Sequence, residues 1–334
     1  MREEGIDPEI IYLHKYNIKH CIGCFSCWVK TPGVCVQKDD MALLLEKLRH
    51  ANLIVYAQPL YVYTVPGLTK NFLDRCIPAV QPWLIEDPNG LITHPRRAKD
   101  QKRIVVLSVC GFPELDHFKP LVEMFRRIFR SQDYVLVAEL LRPSSEAMRN
   151  KERLGSRYQT GMDALYAAGR EIVTQGYVSQ STEQLVSTPF FHDTRAIPAA
   201  ANRFFQAWMD YEAASEKGEK LPPMDEYLDD NAALGLAGMA TMYNPEKAGD
   251  FAGIFQFDFS DLEPGSYYLE IKDCHCIFNE GQADNPDLVI HTPWKVWKAI
   301  SSGELSGQEA FMDGKYTIEG DMELLVRLGQ VFGD

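Results

Sequence analysis

Apolar residues follow two different periods along this chain, and that change constrains the fold more than any other feature. In the first half, the runs around 52–57 (Leu53, Ile54, Val55, Tyr56), 103–109 and 134–141 are apolar almost throughout, as strands covered on both faces are. A further run, Glu9–Leu13, reads as a strand ahead of them. Helical spacing lies between: Leu43, Leu44 and Leu48 in 41–50, with Asp39-Asp40 as its cap, Leu68, Phe72 and Leu73 in 67–76, Leu121, Phe125 and Ile128 in 119–130, and a last helix over 162–174. Strands alternating with helices predict βαβ units and a parallel sheet. From Phe251 the period becomes two. Phe255, Phe257 and Phe259 share a face, as do Tyr267, Leu269 and Ile271, and then Cys274, Cys276 and Phe278; Gly265 and Asp273 mark the turns. That pattern predicts an antiparallel sheet of hairpins. Helices over 294–300 and 321–332 surround one short strand, Lys315–Ile318. An amphipathic helix around 200–214 and a charged, proline-containing joint at 216–223 separate the two patterns. The expected organisation is an α/β domain over 1–178, a helical connector over 179–230 and a smaller α+β domain over 231–334.

A length of 334 residues is enough for two cores. The net charge of −13 repels phosphate backbones and anionic bilayers, which disfavours nucleic-acid binding. No apolar run approaches the length of a membrane span, and residues 1–5 carry no signal-peptide core, so a cytoplasmic location is expected. Four of the eight cysteines fall between Cys21 and Cys35, which in a reducing compartment points to metal, cluster or redox chemistry rather than disulfides.

Those four form a C-x2-C-x2-C-x7-C constellation: Cys21, Cys24, Cys27 and Cys35. Three thiols in one short loop can face a common point, and the fourth closes the shell. A [4Fe–4S] cluster, a zinc ion and a set of reduced, packed cysteines all remain open on spacing alone.

The string Cys21-Ile-Gly-Cys-Phe-Ser-Cys-Trp28, with Cys35 and Asp39-Asp40-Met41 behind it, resembles the NAD(P)H-dependent FMN reductase and iron–sulfur flavoprotein group. So do Gln58-Pro-Leu-Tyr61 and Pro66-Gly-Leu-Thr-Lys70-Asn-Phe-Leu-Asp74-Arg75. The resemblance spans roughly residues 1–175. It implies a flavodoxin-like sheet with FMN at the carboxyl ends of the strands and NAD(P)H as electron donor. Pro59, Leu60, Tyr61, Val62 and Tyr63 follow one such strand end; Cys110, Gly111 and Phe112 follow the next, and these eight are the expected flavin contacts. Lys70, Asp74 and Arg75 are expected to be structural. Hydride transfer needs no protein acid, so no catalytic residue is assigned. Members of the group begin with a strand and a Gly-Ser-Pro-Arg-like loop that cradles the FMN phosphate. No such loop precedes Cys21, and residues 1–5 read as the last turn of a helix capped by Gly5. The expectation is therefore a flavodoxin-like sheet lacking its first strand and phosphate loop, in a shortened form of a longer protein, with a damaged phosphate site and FMN weakly held or lost.

Residues 250–332 resemble a sterol carrier protein domain. The strings that carry this are Asn244-Pro-Glu-Lys-Ala-Gly249, Phe255-Gln-Phe-Asp-Phe259, Gly281-Gln-Ala-Asp-Asn-Pro-Asp287, Trp297-Lys-Ala-Ile-Ser-Ser-Gly303 and Phe311-Met-Asp-Gly-Lys-Tyr-Thr-Ile-Glu-Gly-Asp-Met322. A sheet face of Phe255, Phe257 and Phe259 under helices with Trp294, Trp297, Phe311, Leu324 and Leu328 either encloses an apolar cavity for an acyl chain or other lipid-like ligand, or fills a dry core. Cys274 and Cys276 read as packing residues, and His275 and His291 as strand histidines without partners. The leading functional reading is an FMN-dependent NAD(P)H oxidoreductase or electron-transfer flavoprotein fused to a lipid-binding module. The alternatives are an apolar-ligand binding protein with a vestigial redox half, and a cluster-bearing electron-transfer scaffold. A redox partner protein and a homodimer with the flavin near its interface are implied by resemblance alone.

Overall fold

A computed structural model describes residues 1–131, 133–263 and 265–332. The chain divides into two compact units, Met1–Phe190 and Phe191–Asp334, each with its own core.

In the first unit, α1 (Ser26–Val29) sits in the cysteine loop and α2 (Met41–His50) follows. Then come β1 (Leu53–Pro59), α3 (Gly67–Asp74), a two-stranded ribbon of β2 (Ile85–Glu86) and β3 (Ile92–Thr93), β4 (Lys102–Val109), α4 (Lys119–Ile128), β5 (Tyr134–Arg142), α5 (Lys151–Thr174) and α6 (Gln180–Val186). β1, β4 and β5 form a parallel sheet in that order. β4 is central and covered on both faces, with Ile104, Val105 and Val106 all buried. Ile104 and Val106 pack against Leu121 and Phe125 of α4, whereas Val105 packs against Ala164, Ala168 and Ile172 of α5. This is flavodoxin-like layering, three strands with helices on both faces.

Several expectations change here. Glu9–Leu13 is not a strand: its backbone pairs with no other strand, and it runs into a 3-10 turn at Leu13–Lys15 while Ile11 and Leu13 pack on Met41, Leu44 and Phe72. β1 is therefore an edge, and Val55 is exposed although its run reads as buried. The cap of α2 comes from Asp39, whose Oδ1 accepts the Met41 N–H at 3.2 Å, rather than from the Asp40 side chain. The helix expected over 162–174 begins at Lys151, with a break at Gly155 where φ is +51°. The turn before Gly5 is present as a 3-10 turn, Arg2–Glu4, and the Gly5 N–H donates to the Arg2 carbonyl.

The second unit opens with four helices: α7 (Ile197–Glu216), α8 (Met224–Asp229), α9 (Ala232–Thr241) and α10 (Pro245–Ala248). A five-stranded sheet follows, built from β6 (Gly253–Phe259), β7 (Ser266–Lys272), β8 (His275–Glu280), β9 (Leu288–Thr292) and β10 (Thr317–Gly320). α11 (Trp294–Ser301), α12 (Gly307–Met312) and α13 (Met322–Gln330) complete it. The strand order is β10-β9-β6-β7-β8, and the β6–β9 pair is parallel, so the sheet is mixed rather than purely antiparallel. The chain returns from β8 to the far side of β6, anchored where Asp287 Oδ2 accepts the Ile254 N–H at 2.8 Å. β10 lies two residues later than the expected Lys315–Ile318. Cys274 does not share a face with Cys276: it shares the tight turn with Asp273, both at positive φ. His275 and His291 belong to no group of three metal-capable side chains among the described residues, but each has an acidic neighbour. His275 Nδ1 lies 2.8 Å from Asp193, and His291 lies between Asp258 and Glu319.

Candidate functional site

Parallel pairing fixes what lies at the carboxyl rim of the first sheet. Pro59 is in register with Val109, and the Leu60 N–H donates to the Val109 carbonyl at 2.8 Å, so the segments leaving β1 and β4 start side by side. The first folds into a tight reversal in which Tyr61 and Thr64 exchange two 3.0 Å backbone hydrogen bonds. Its central residues, Val62 and Tyr63, lie at φ +49° and +64°, a conformation that favours glycine and costs a side chain about 1–2 kcal/mol each. The result lifts Tyr61, Val62 and Tyr63 into solvent. The second segment is tied to the end of β5: Cys110 N–H donates to Arg142, and Ser144 and Ser145 N–H donate to Phe112 and Cys110. Phe112 stands exposed, and His117 brings it together with Tyr63, with ring centroids 4.6 Å from Phe112 and 5.7 Å from Tyr63. Pro59 and Leu60 are partly covered and Cys110 is buried.

Below this rim, Gln58 and Ser108 are register partners on adjacent strands. Gln58 Nε2 and Ser108 Oγ are buried with no hydrogen-bond partner among the described residues. Such groups cost free energy unless a ligand or water satisfies them. An added Cβ at Gly111 would meet only Glu146 Cγ, at 3.6 Å, so the protein itself leaves that position open. The residues present fit a flat heteroaromatic group: aromatic walls from Tyr61, Tyr63 and Phe112, and unpaired polar atoms below. Gln58, Ser108 and His117 escape a reading of the sequence as contacts. Ser108, a hydroxyl in an otherwise apolar strand, is the one signal that would have found them.

The cysteine loop lies elsewhere in the same unit. Cys21, Cys24, Cys27 and Cys35 all line one small hollow, closed by Arg75, Ile77 and Pro78. Among the described residues no three Cys, His, Asp or Glu side chains are close enough to hold a single metal ion. Cys21 and Cys24 are exposed and Cys27 is buried. Hydrogen bonding from Ser26 lowers the Cys24 thiol below its ordinary value, whereas burial, with the neighbouring thiols adding to it, raises Cys27. Arg75 places Nη2 3.5 Å from Cys35 Sγ, and its Nε is buried without a partner. The same guanidinium makes a two-point ion pair with Asp39, at 2.6 and 3.0 Å, with both side chains almost fully buried. Lys70 and Asp74 pair along α3 at 2.6 Å.

In the second unit, Phe255, Phe257 and Phe259 line the inner face of β6 and are buried. Phe257 packs edge-on against Trp297 with ring centroids 4.9 Å apart, and Phe259 against Trp294 at 5.3 Å. Leu328 is buried in the same cluster, and Phe311 and Leu324 are partly covered at its margin. Gly235 of α9 permits this: a Cβ there would lie 2.4 Å from the Trp294 ring. Trp294 Nε1 and Tyr243 Oη are buried without a hydrogen-bond partner among the described residues, two donors inside an apolar cluster.

Comparison with known proteins adds an independent line. Residues 1–137 match the NADPH-dependent FMN reductase family, and residues 237–333 match the SCP-2 sterol transfer family. An iron–sulfur flavoprotein of Archaeoglobus fulgidus is 43% identical over 75 residues, which is 22% of this chain and 36% of that protein. An iron–sulfur flavoprotein of Methanosarcina thermophila is 29% identical over 76 residues, 23% of this chain and 39% of that protein. The chain thus spans little more than a third of the length of these relatives. Among solved structures, sterol carrier protein 2 like 2 from Aedes aegypti aligns with 23% identity over 27% of this chain and 82% of its own, with a TM-score of 0.23, too low to add to the fold assignment.

Proposed function

We propose that this chain, a segment similar to FMN reductases joined to one similar to sterol carrier proteins, is a flavin-dependent oxidoreductase that works beside an apolar-ligand module. The observation that carries the reading is the shared carboxyl rim, where the turns after β1 and β4 lie side by side and present Tyr61, Tyr63 and Phe112 around the unpaired Gln58 and Ser108. When bound, FMN supplies hydride acceptance from NAD(P)H and delivery of electrons onward. The chain's own residues do the rest. Tyr63, His117 and Phe112 form an aromatic group that would hold the ring. Pro59, Leu60, Val62, Cys110 and Gly111 would supply backbone contact. Cys21, Cys24, Cys27 and Cys35 would hold a [4Fe–4S] cluster, with Arg75 offsetting its negative charge. A cluster held there would supply one-electron chemistry. Phe255, Phe257, Phe259, Trp294, Trp297, Phe311, Leu324 and Leu328 would enclose a lipid-like ligand, with Trp294 Nε1 and Tyr243 Oη for its polar end.

The test is anaerobic addition of NADPH to the FMN-reconstituted chain, followed at the visible flavin band. Bleaching faster than that of free FMN supports the reading. A rate equal to that of free FMN at saturating protein overturns it, and extraction of bound fatty acid from the same inactive sample would favour a lipid-binding protein with a vestigial redox half.

A further inference from the structure

The first unit carries a second cavity, of about 1030 Å³, at the opposite rim of its sheet. Lys102, the first residue of β4, and Tyr134, the first of β5, line it, together with the last turns of α2, α3 and α4. The strands run about 20 Å between this rim and the flavin rim, at roughly 3.3 Å per residue. The flavin reading does not use it; one end borders the cysteine loop, sharing Cys35, Gln37, Asp74, Ile77 and Pro78 with the hollow there.

The floor is apolar: Leu45, Leu48, Ile54, Leu73, Met124 and Phe129. The margin is basic. Eight lysines and arginines line the cavity against three carboxylates, in a chain whose net charge is −13. Six of the eight are ion-paired: Arg49 with Glu46, Lys70 with Asp74, Arg96 and Lys102 with Asp100, Arg127 with Glu123 and Arg130 with Asp87. Arg97 donates only to the Pro78 and Cys27 carbonyls, at 3.1 and 3.5 Å, and Lys38 has no ion-pair partner among the described residues. Arg96 lies flat over the Tyr134 ring at 4.4 Å. Tyr56 and Tyr134 also line the cavity. Burial pushes both phenols up, so they stay neutral and can donate. An apolar floor, neutral hydroxyl donors and uncommitted cations match one chemistry: an apolar chain ending in an anion.

We propose that this amino-rim cavity binds a single-chain amphiphile with an anionic head, its chain over Ile54, Leu73 and Met124 and its head toward Arg97, Lys38 and the tyrosine hydroxyls. The head is a carboxylate or a phosphate; both are anions that the same donors accept. The site is separate from the apolar cluster of the second unit and does not depend on the flavin reading.

Photo-cross-linking of the full chain with a diazirine-bearing long-chain fatty acid, followed by peptide mapping, tests this. Label is expected on peptides covering 42–56 and 124–134. Dodecanoate or dodecyl phosphate should compete about tenfold better than dodecanol, the preference expected when the head is held by charge-assisted hydrogen bonds. Met124→Trp, which fills the floor, and Arg97→Gln should each cut that label by roughly tenfold while leaving label on 191–334 unchanged. Label confined to 191–334, or equal competition by dodecanol, overturns the proposal. Should either variant fail to fold, the wild-type map and the competition series decide.

Discussion

Arg75 ties several parts of the first unit together. It pairs with Asp39 on one side, donates to the Lys19 carbonyl at 2.6 Å and touches Cys35, so one buried cation fixes both ends of the cysteine loop. Arg75→Gln should destabilise the unit by about 3–5 kcal/mol at neutral pH, because Asp39 is left as an uncompensated buried charge. Hydrogen bonds from Arg75, then from the Lys19 and Met41 N–H groups, hold the Asp39 carboxyl below its ordinary value. A depressed carboxylate contributes stability above its unfolded value, about 3.9, and loses it as pH falls through the folded one. Urea midpoints should therefore show the largest gap between wild type and variant at pH 7, and a shrinking gap below about pH 4. A gap independent of pH would contradict this. At the exposed turn, Val62→Gly should raise stability by up to about 1 kcal/mol, because it relieves a β-branched residue at φ +49°. A lower melting temperature would mean that the Val62 side chain makes a contact that matters. Spacing brought the four cysteines to notice. It did not reveal the Arg75–Asp39 pair, which joins positions 36 residues apart and leaves no local pattern.

At the level of elements, β4 and β5 were legible because continuous burial writes a continuous apolar run. β9 was not. Leu288, Ile290 and Thr292 do alternate inward, but five residues beside a helix start carry too short a period to stand out. α9 was missed for the opposite reason: Ala232–Thr241 is apolar all round and has no polar face to give it a stripe. Glu9–Leu13 misled because an apolar run announces burial, not pairing; its side chains enter a core while its backbone joins no ladder. Close approach also left little trace. Gly265 admits no side chain, since a Cβ would lie 2.3 Å from the Phe259 carbonyl oxygen. Gly265→Ala should cost roughly 1–3 kcal/mol by forcing the β6–β7 connection apart. Hydrogen exchange should show lost protection in β6 and β7 while β4 keeps its own; uniform loss across both sheets would contradict the assignment of the two to separate units.

For the molecule as a whole, the chain divides into two compact units, Met1–Phe190 and Phe191–Asp334, and one family match falls in each. The aromatic rim was foreseeable from strand ends. The polar atoms beneath it were not, because Gln58 and Ser108 become partners only through β1–β4 register. Anaerobic incubation with iron and sulfide should give bound acid-labile sulfide that Cys27→Ser abolishes; uptake of zinc without sulfide would contradict a cluster. The most direct measurement for the central claim is an FMN titration of the full chain by fluorescence quenching, alongside Tyr63→Ala and Phe112→Ala. The account predicts saturable binding that each substitution weakens by roughly tenfold, as loss of an aromatic stacking contact of about 1–1.5 kcal/mol requires. Binding indifferent to both substitutions, or no binding at all, would contradict it.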